Sequence, residues 1–407
     1  MFARSRQRGS VRGGIGARRA AAPLAVAIAL VAGQLVASGA SGAVRVATAS
    51  RWVQLAELRP NPNAGGPFAY SVAVSGSAAV VGAPGANRAY VFEFGPAGWQ
   101  QVAVLRTPSA LTFDRFGEAV AVFGNTIVVG APGVLRGGRA FVFRRVDARW
   151  QLWRELHGSD VVATDDSFGG SVGVAGSVIA VGASTHRHMG MAYLFGLRRG
   201  TWRQFAKFHA KDTATNDEYA YSLSLSPQFL VVGALGHGAT GAAYVYSKVV
   251  GWKQVAEFYG SRHGELFGWS VSVSGETAVI GAPGPFDHVP RISGRAYVYV
   301  TRPGRPWHGM AVLHGGPSNL GSFYGFAVAA SNSRIAVGAW SNLARPSPTY
   351  VYAPARSQTV WVPIGHLYAH DLPVWSLFGQ SVAASGSTVI VGAPSPRDTG
   401  RTYVYRT

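Results

Sequence analysis

Self-similarity constrains this chain more than anything else in it. From about residue 51 onward, a unit of about fifty residues recurs seven times, and a period of that length belongs to a propeller or an array. Each unit carries four landmarks in fixed order. The first is an FG-like step: Phe68-Ala69, Phe116-Gly117, Phe168-Gly169, Tyr219-Ala220, Phe267-Gly268, Tyr324-Gly325 and Phe378-Gly379. The second is a valine-rich run that ends in Gly-Ala-Pro at Gly82, Gly130, Gly281 and Gly392, and in a degenerate form at Gly182, Gly233 and Gly338. An aromatic-Val/Leu-aromatic triplet follows, starting at Tyr90, Phe141, Tyr193, Tyr244, Tyr297, Tyr350 and Tyr403. The last is a tryptophan, at Trp52, Trp99, Trp150, Trp202, Trp252, Trp307 and Trp361, with Leu or Phe six positions on.

Each landmark sits in a short run of β-branched and aromatic residues bounded by Gly, Pro, Ser or Asn, which is the pattern of a strand; no unit contains a long amphipathic helix. The expected fold is therefore all-β, a seven-bladed propeller of four-stranded blades. We letter the strands A to D from the axis outward, with small residues in A (Ser71-Val72-Ala73-Val74) and the tryptophan in D. The last unit stops at Tyr403-Val404-Tyr405, a C strand, and a lone D strand, Trp52 to Leu58, precedes the first FG-like step. This N-terminal strand is expected to complete the last blade, closing the ring and leaving few sheet edges open.

The FG, Gly-Ala-Pro and Tyr-Val-Tyr signatures resemble FG-GAP repeat proteins, namely the integrin α-subunit propeller and its bacterial secreted relatives, over about residues 51 to 407. The resemblance implies a propeller outside the cytoplasm, concerned with ligand binding or adhesion. It also implies calcium loops of the D-x-D-x-D-G type in several A–B connections. Here those connections are tight turns such as Ser75-Gly76-Ser77 and Ser385-Gly386-Ser387, with one acidic residue, Glu276, among all seven. Calcium needs several oxygen ligands, so no calcium is expected there, and no other cofactor.

Residues 1–43 read as a signal peptide: six arginines, an apolar stretch from Pro23 to Ala37, then small residues suited to cleavage after Ala40 or Ala43. An uncleaved anchor is the other reading of the same segment. Residues 44–407 form the propeller, secreted or at the cell surface. The chain lacks cysteine, so disulfides and thiolate metal sites are excluded. Its formal charge is +19, six of it in the leader.

Three sets of residues are candidates for function. Strand D ends in Arg59, Arg106, His157, His209, Tyr259, His314 and Tyr368, a ring of hydrogen-bonding tips on the D–A face that is either ligand-contacting or a polar border of the core. The C–D turns and strand ends gather Arg144, Arg145, Arg149, Arg198, Arg199, Lys248, Arg302 and Arg305, with Arg51, Arg356 and Arg406, against Glu93 and Asp147. Such a basic face either docks on an acidic polymer or reflects an arginine-rich composition that serves solubility. Asp114, Asp166, Asp217 and Glu265, two places before the FG-like step, read as turn residues rather than a catalytic pair. His186-Arg187-His188-Met189 has metal-ligand chemistry, but Arg187 opposes a cation, and a solvated loop is expected.

The expected function is a non-catalytic binding or adhesion propeller. Its partner would be a protein or polysaccharide at a cell surface or in the extracellular matrix, with an acidic polymer possible and membrane contact only through an uncleaved leader. The alternative is a carbohydrate-active enzyme, a lyase or glycosidase, with its site in the central pit of the D–A face. Two carboxylates converging there would favour it.

Overall fold

The computed structural model describes residues 52–407 apart from residues 64–65, 109–113, 135–136, 162–165, 286–293, 317–321, 342–346, 356–359, 373–375 and 396–397. The leader, its cleavage positions, Arg51 and Arg356 lie outside the described residues. Among the described residues, no helix is long and apolar enough to cross a membrane.

Seven four-stranded antiparallel sheets form seven blades. In blade 1 the strands are Ser71–Ser75 (A), Ala78–Ala83 (B), Arg88–Gly95 (C) and Gly98–Leu105 (D). Blades 2 to 6 start at Val120, Phe168, Tyr219, Ser270 and Ser322. Blade 7 takes A, B and C from Ser381–Ser385, Thr388–Ala393 and Arg401–Arg406. Its D strand is Val53–Leu58, paired antiparallel to Arg401–Arg406 with Leu58 opposite Thr402. The A strands touch one another in blade order, and blade 7 touches blade 1, so the ring is closed.

The sequence landmarks explain how neighbouring blades join. In blade 2 the FG-like step occupies the middle of a turn that Glu118 N–H closes on Arg115 C=O at 3.0 Å, with Gly117 at φ +97°. Glycine takes that conformation without strain. The turn's Gly117 carbonyl leans on the previous blade, where it accepts Ser71 Oγ–H at 2.8 Å. A Cβ at Gly82, the glycine of the previous blade's Gly-Ala-Pro, would run into that same carbonyl. The two signatures are thus halves of one joint, repeated as Gly233 against Gly268 and closed around the ring as Gly392 against Ala69.

Apolar residues fill the spaces between blades, with Val128 and Val142 packed with Val172, Ile179 and Val181 across the join of blades 2 and 3. Within every blade the C–D pairing slips at one place, as between Val91 and Phe92 or Val142 and Phe143. The D strand inserts one extra residue there, a β-bulge that increases the twist of the outer edge.

Candidate functional site

The residue after each FG-like step points to the mouth of the ring on the D–A face. In blade order these are Tyr70, Glu118, Gly170, Tyr221, Trp269, Phe326 and Gln380, and together they border a central pit of ≈ 300 Å³. Every blade contributes one residue because every blade places the same turn at the same height. The serines that begin the A strands, among them Ser71, Ser222 and Ser270, line its wall, with their hydroxyls committed to the joints between blades.

Half of the pit is aromatic. Tyr221, Trp269 and Phe326 form an arc, with ring centroids 5.1 Å apart at each step and interplanar angles of 46° and 50°. Opposite stands a polar cluster in which Glu118 Oε1 accepts the Tyr70 hydroxyl at 3.3 Å and pairs with Arg115 at 2.5 Å. Burial pushes the Glu118 carboxyl above its ordinary range, and the Arg115 guanidinium only partly offsets it. Burial and the nearby carboxylates also raise the Tyr70 and Tyr221 phenols, so neither serves as a base near neutral pH. Glu118 Oε2 and Gln380 Oε1 are buried acceptors that find no protein donor. Such groups carry a desolvation cost that a donor-bearing ligand relieves. Among the described residues Glu118 is the one carboxylate on the pit wall.

The seven strand-D tips stand elsewhere. They end the outermost strand of each blade, one per blade around the circumference, and do not converge. Arg59 is paired with Glu57 at 2.6 Å, while the Tyr259 hydroxyl meets Glu257 and Asp212. The Nδ1 atoms of His157 and His209 lie 3.3 and 2.7 Å from the carbonyls of Gly158 and Ala210. Arg106 is exposed and Tyr368 half-exposed. Burial and the Arg295 and Arg262 guanidiniums hold the His314 imidazole below its usual range.

The basic set lies on the opposite, C–D face. Arg145 is neutralised by Glu93 at 2.7 Å, and the Arg144 guanidinium stacks 4.7 Å over Trp153. Arg149, Arg198, Arg199, Lys248, Arg302 and Arg305 are exposed at the hairpin tips. Arg302 and Arg305 stand together on one turn, while the others are distributed over three separate blades.

The four acids before the FG-like step are all buried. Asp217 Oδ2 accepts the Ala214 N–H at 2.6 Å, and Glu265 Oε1 accepts the Arg262 N–H at 3.2 Å, so they do tie turns. They also hold more than turns. His237 lies between Asp217 (2.8 Å) and Asp212 (3.4 Å), and His186 between Asp166 (3.0 Å) and Asp160 (3.5 Å). The expectation of a solvated loop around His186 is thus corrected. That side chain is 2% exposed, drawn in by two carboxylates from the adjoining D–A loop, while Arg187 and His188 stay in solvent. No group of three or more metal-ligating side chains forms among the described residues.

Sequence reasoning placed a possible site in the D–A pit but named none of its walls. The available signal was the position after the FG-like step, where large aromatic and polar residues follow a turn that needs none.

Comparison with known proteins bears on the repeats. A family model, the FG-GAP repeat, matches residues 99–143, 202–246, 252–299 and 361–405, each match running from a D strand to the C strand of the following blade. No curated protein matches the chain. Among solved structures, the crystal structure of Saccharomyces cerevisiae Sqt1 aligns over 80% of each chain at 10% identity and a TM-score of 0.46. With four matched units and three more in register on one closed ring of seven blades, the chain is an FG-GAP repeat β-propeller.

Proposed function

We propose that this protein is an extracytoplasmic binding propeller without chemistry of its own, and that a group of a macromolecular ligand seats in the D–A pit. The observation that carries this reading is the wall of the pit: an aromatic arc, Tyr221–Trp269–Phe326, faces the unpartnered acceptors Glu118 Oε2 and Gln380 Oε1. That wall suits a group with an apolar face and hydrogen-bond donors on its rim, such as a sugar ring. A single carboxylate among the described residues of the wall supports binding over glycosidase chemistry, which works through a facing pair. The basic, then apolar, then small-residue leader supports an extracytoplasmic location.

Glycan arrays and surface extracts probed with the purified protein test the reading. Capture of a glycan or glycoprotein should weaken by about 30-fold or more in Trp269→Ala, the scale of a buried aromatic anchor. Tyr221→Ala should act in the same direction. Capture that ignores both substitutions would move the site elsewhere, and release of cleaved fragments from the array would make the protein an enzyme.

A further inference from the structure

The opposite face holds a second concave site. Two cavities of ≈ 530 and ≈ 770 Å³ lie side by side over blades 5 and 6, sharing Val300, Arg302 and Met310 on their walls. Their common rim is the turn Arg302-Pro303-Gly304-Arg305. Arg305 N–H donates to Arg302 C=O at 2.8 Å and Gly304 sits at φ +73°, the form of a type II turn with proline ahead of glycine. Thr301 Oγ1 donates to Arg305 C=O at 2.7 Å and braces the same turn from inside. Two guanidiniums therefore spring from one stiff hairpin, both exposed. Neither is among the arginines that form ion pairs in the described residues.

The wall across from this rim is not basic. Asn332 Oδ1 accepts the Ser274 hydroxyl at 3.0 Å, which leaves its amide hydrogens for a ligand. Glu276 is the one carboxylate on either cavity wall among the described residues, and half-buried Trp361 supplies an aromatic surface. A purely anionic polymer uses only the arginines of such a site and is repelled by Glu276. A ligand with both carboxylates and hydroxyls uses all of it.

We propose that this groove binds a uronic-acid saccharide. The sugar carboxylate takes the Arg302–Arg305 fork, where planar guanidinium matches carboxylate in two parallel hydrogen bonds. Ring hydroxyls donate to Glu276 and accept from Asn332, and an apolar sugar face lies toward Trp361. A DNA backbone offers acceptors but no hydroxyl donors, which is why DNA fits this wall less well. The proposal rests on the reading of the protein as a binding module but uses the face opposite the pit, so the two stand or fall separately.

Calorimetric titration of the full chain at physiological salt decides it, with oligogalacturonate, a neutral galactose oligomer of equal length, and a single-stranded oligodeoxynucleotide of equal charge as probes. The uronate should bind at least about tenfold more tightly than either of the others. Arg302→Ala should cost about ten- to hundredfold, the scale of one charge-assisted contact. Arg302→Lys, which keeps charge and fold but loses the planar fork, should retain little of the uronate affinity. Glu276→Gln should weaken the uronate and strengthen the oligodeoxynucleotide, and Trp269→Ala should leave the uronate unchanged. The proposal is overturned by absent uronate binding, by equal affinity for uronate and DNA, or by wild-type affinity in Arg302→Lys. Loss confined to Trp269→Ala would also overturn it, by placing the uronate in the pit instead.

Discussion

Glu118 shows what one residue does on a symmetric scaffold. Its six counterparts in the ring are neutral, so its charge is a local addition that the turn itself does not require. Burial raises its carboxyl above the ordinary value of 4.5 against the pull of Arg115. Between those two values the folded state holds a proton that the unfolded chain has released, so stability falls as pH rises through that window. The difference in unfolding midpoint between the wild type and Glu118→Gln should accordingly shift against the wild type as pH climbs above 4.5, and level off once the folded carboxyl has ionised. Thermal unfolding of both proteins across the acid to neutral range reads this directly, and a difference independent of pH would mean that the carboxyl is solvated. Its place after the FG-like step is the one local signal of such a residue, and that place does not single out Glu118 from the other six. Glu118 follows an FG-like step as Gly170 and Gln380 do, and only the closing of the ring brings the seven positions to one mouth.

At the scale of elements, the sequence was most legible where backbone meets backbone. FG and Gly-Ala-Pro recur because a turn of one blade presses its carbonyl into a notch of the one before, and any side chain in the notch collides with it. That demand repeats seven times and cannot be met by another residue type, so it shows as a motif. Gly130→Ala should therefore destabilise by about 1–3 kcal/mol through overpacking against the Gly169 carbonyl. Gly95→Ala, in open space on strand C, should stay within about 0.5 kcal/mol. Denaturant unfolding of the two variants compares them, and equal costs would show that the notch yields. Side-chain pairings left a fainter trace. Where the FG phenylalanine becomes Tyr219 or Tyr324, the third residue of the triplet is Tyr246 or Tyr352, and the two hydroxyls of each buried pair meet at 2.7 Å. The His186 and His237 clusters left a trace only in the two copies that carry them: each histidine stands twenty residues after its closer carboxylate, Asp166 or Asp217, and no other blade repeats the pair.

For the whole molecule, closure was legible because the chain's two ends each lacked what the other supplied. Blade 7 ends at strand C, and Val53–Leu58 arrives from the far end of the sequence to finish it. The seam is built like any other blade. Leu58 is 2% exposed, as Leu105 is 3% in blade 1, and Arg401 reaches Glu57 (3.4 Å) across the joint while also pairing with Asp371 (2.9 Å) in the connection from blade 6. Leu58→Ala and Leu105→Ala should then cost alike, about 2–5 kcal/mol each, since each empties an equivalent buried position. Deleting Trp52–Leu58 is a different perturbation. It uncovers Arg401–Arg406 as a strand edge with a full row of unpaired backbone groups in a ring that otherwise presents only its outer D strands. An edge of that kind recruits another strand. Size-exclusion chromatography of the deletion variant should show concentration-dependent association beyond that of the wild type together with a lowered unfolding midpoint, whereas Leu58→Ala elutes as the wild type does. A deletion variant that elutes as the wild type does, with its midpoint intact, would mean that blade 7 is complete with three strands, and that the N-terminal strand covers the seam without holding the ring shut.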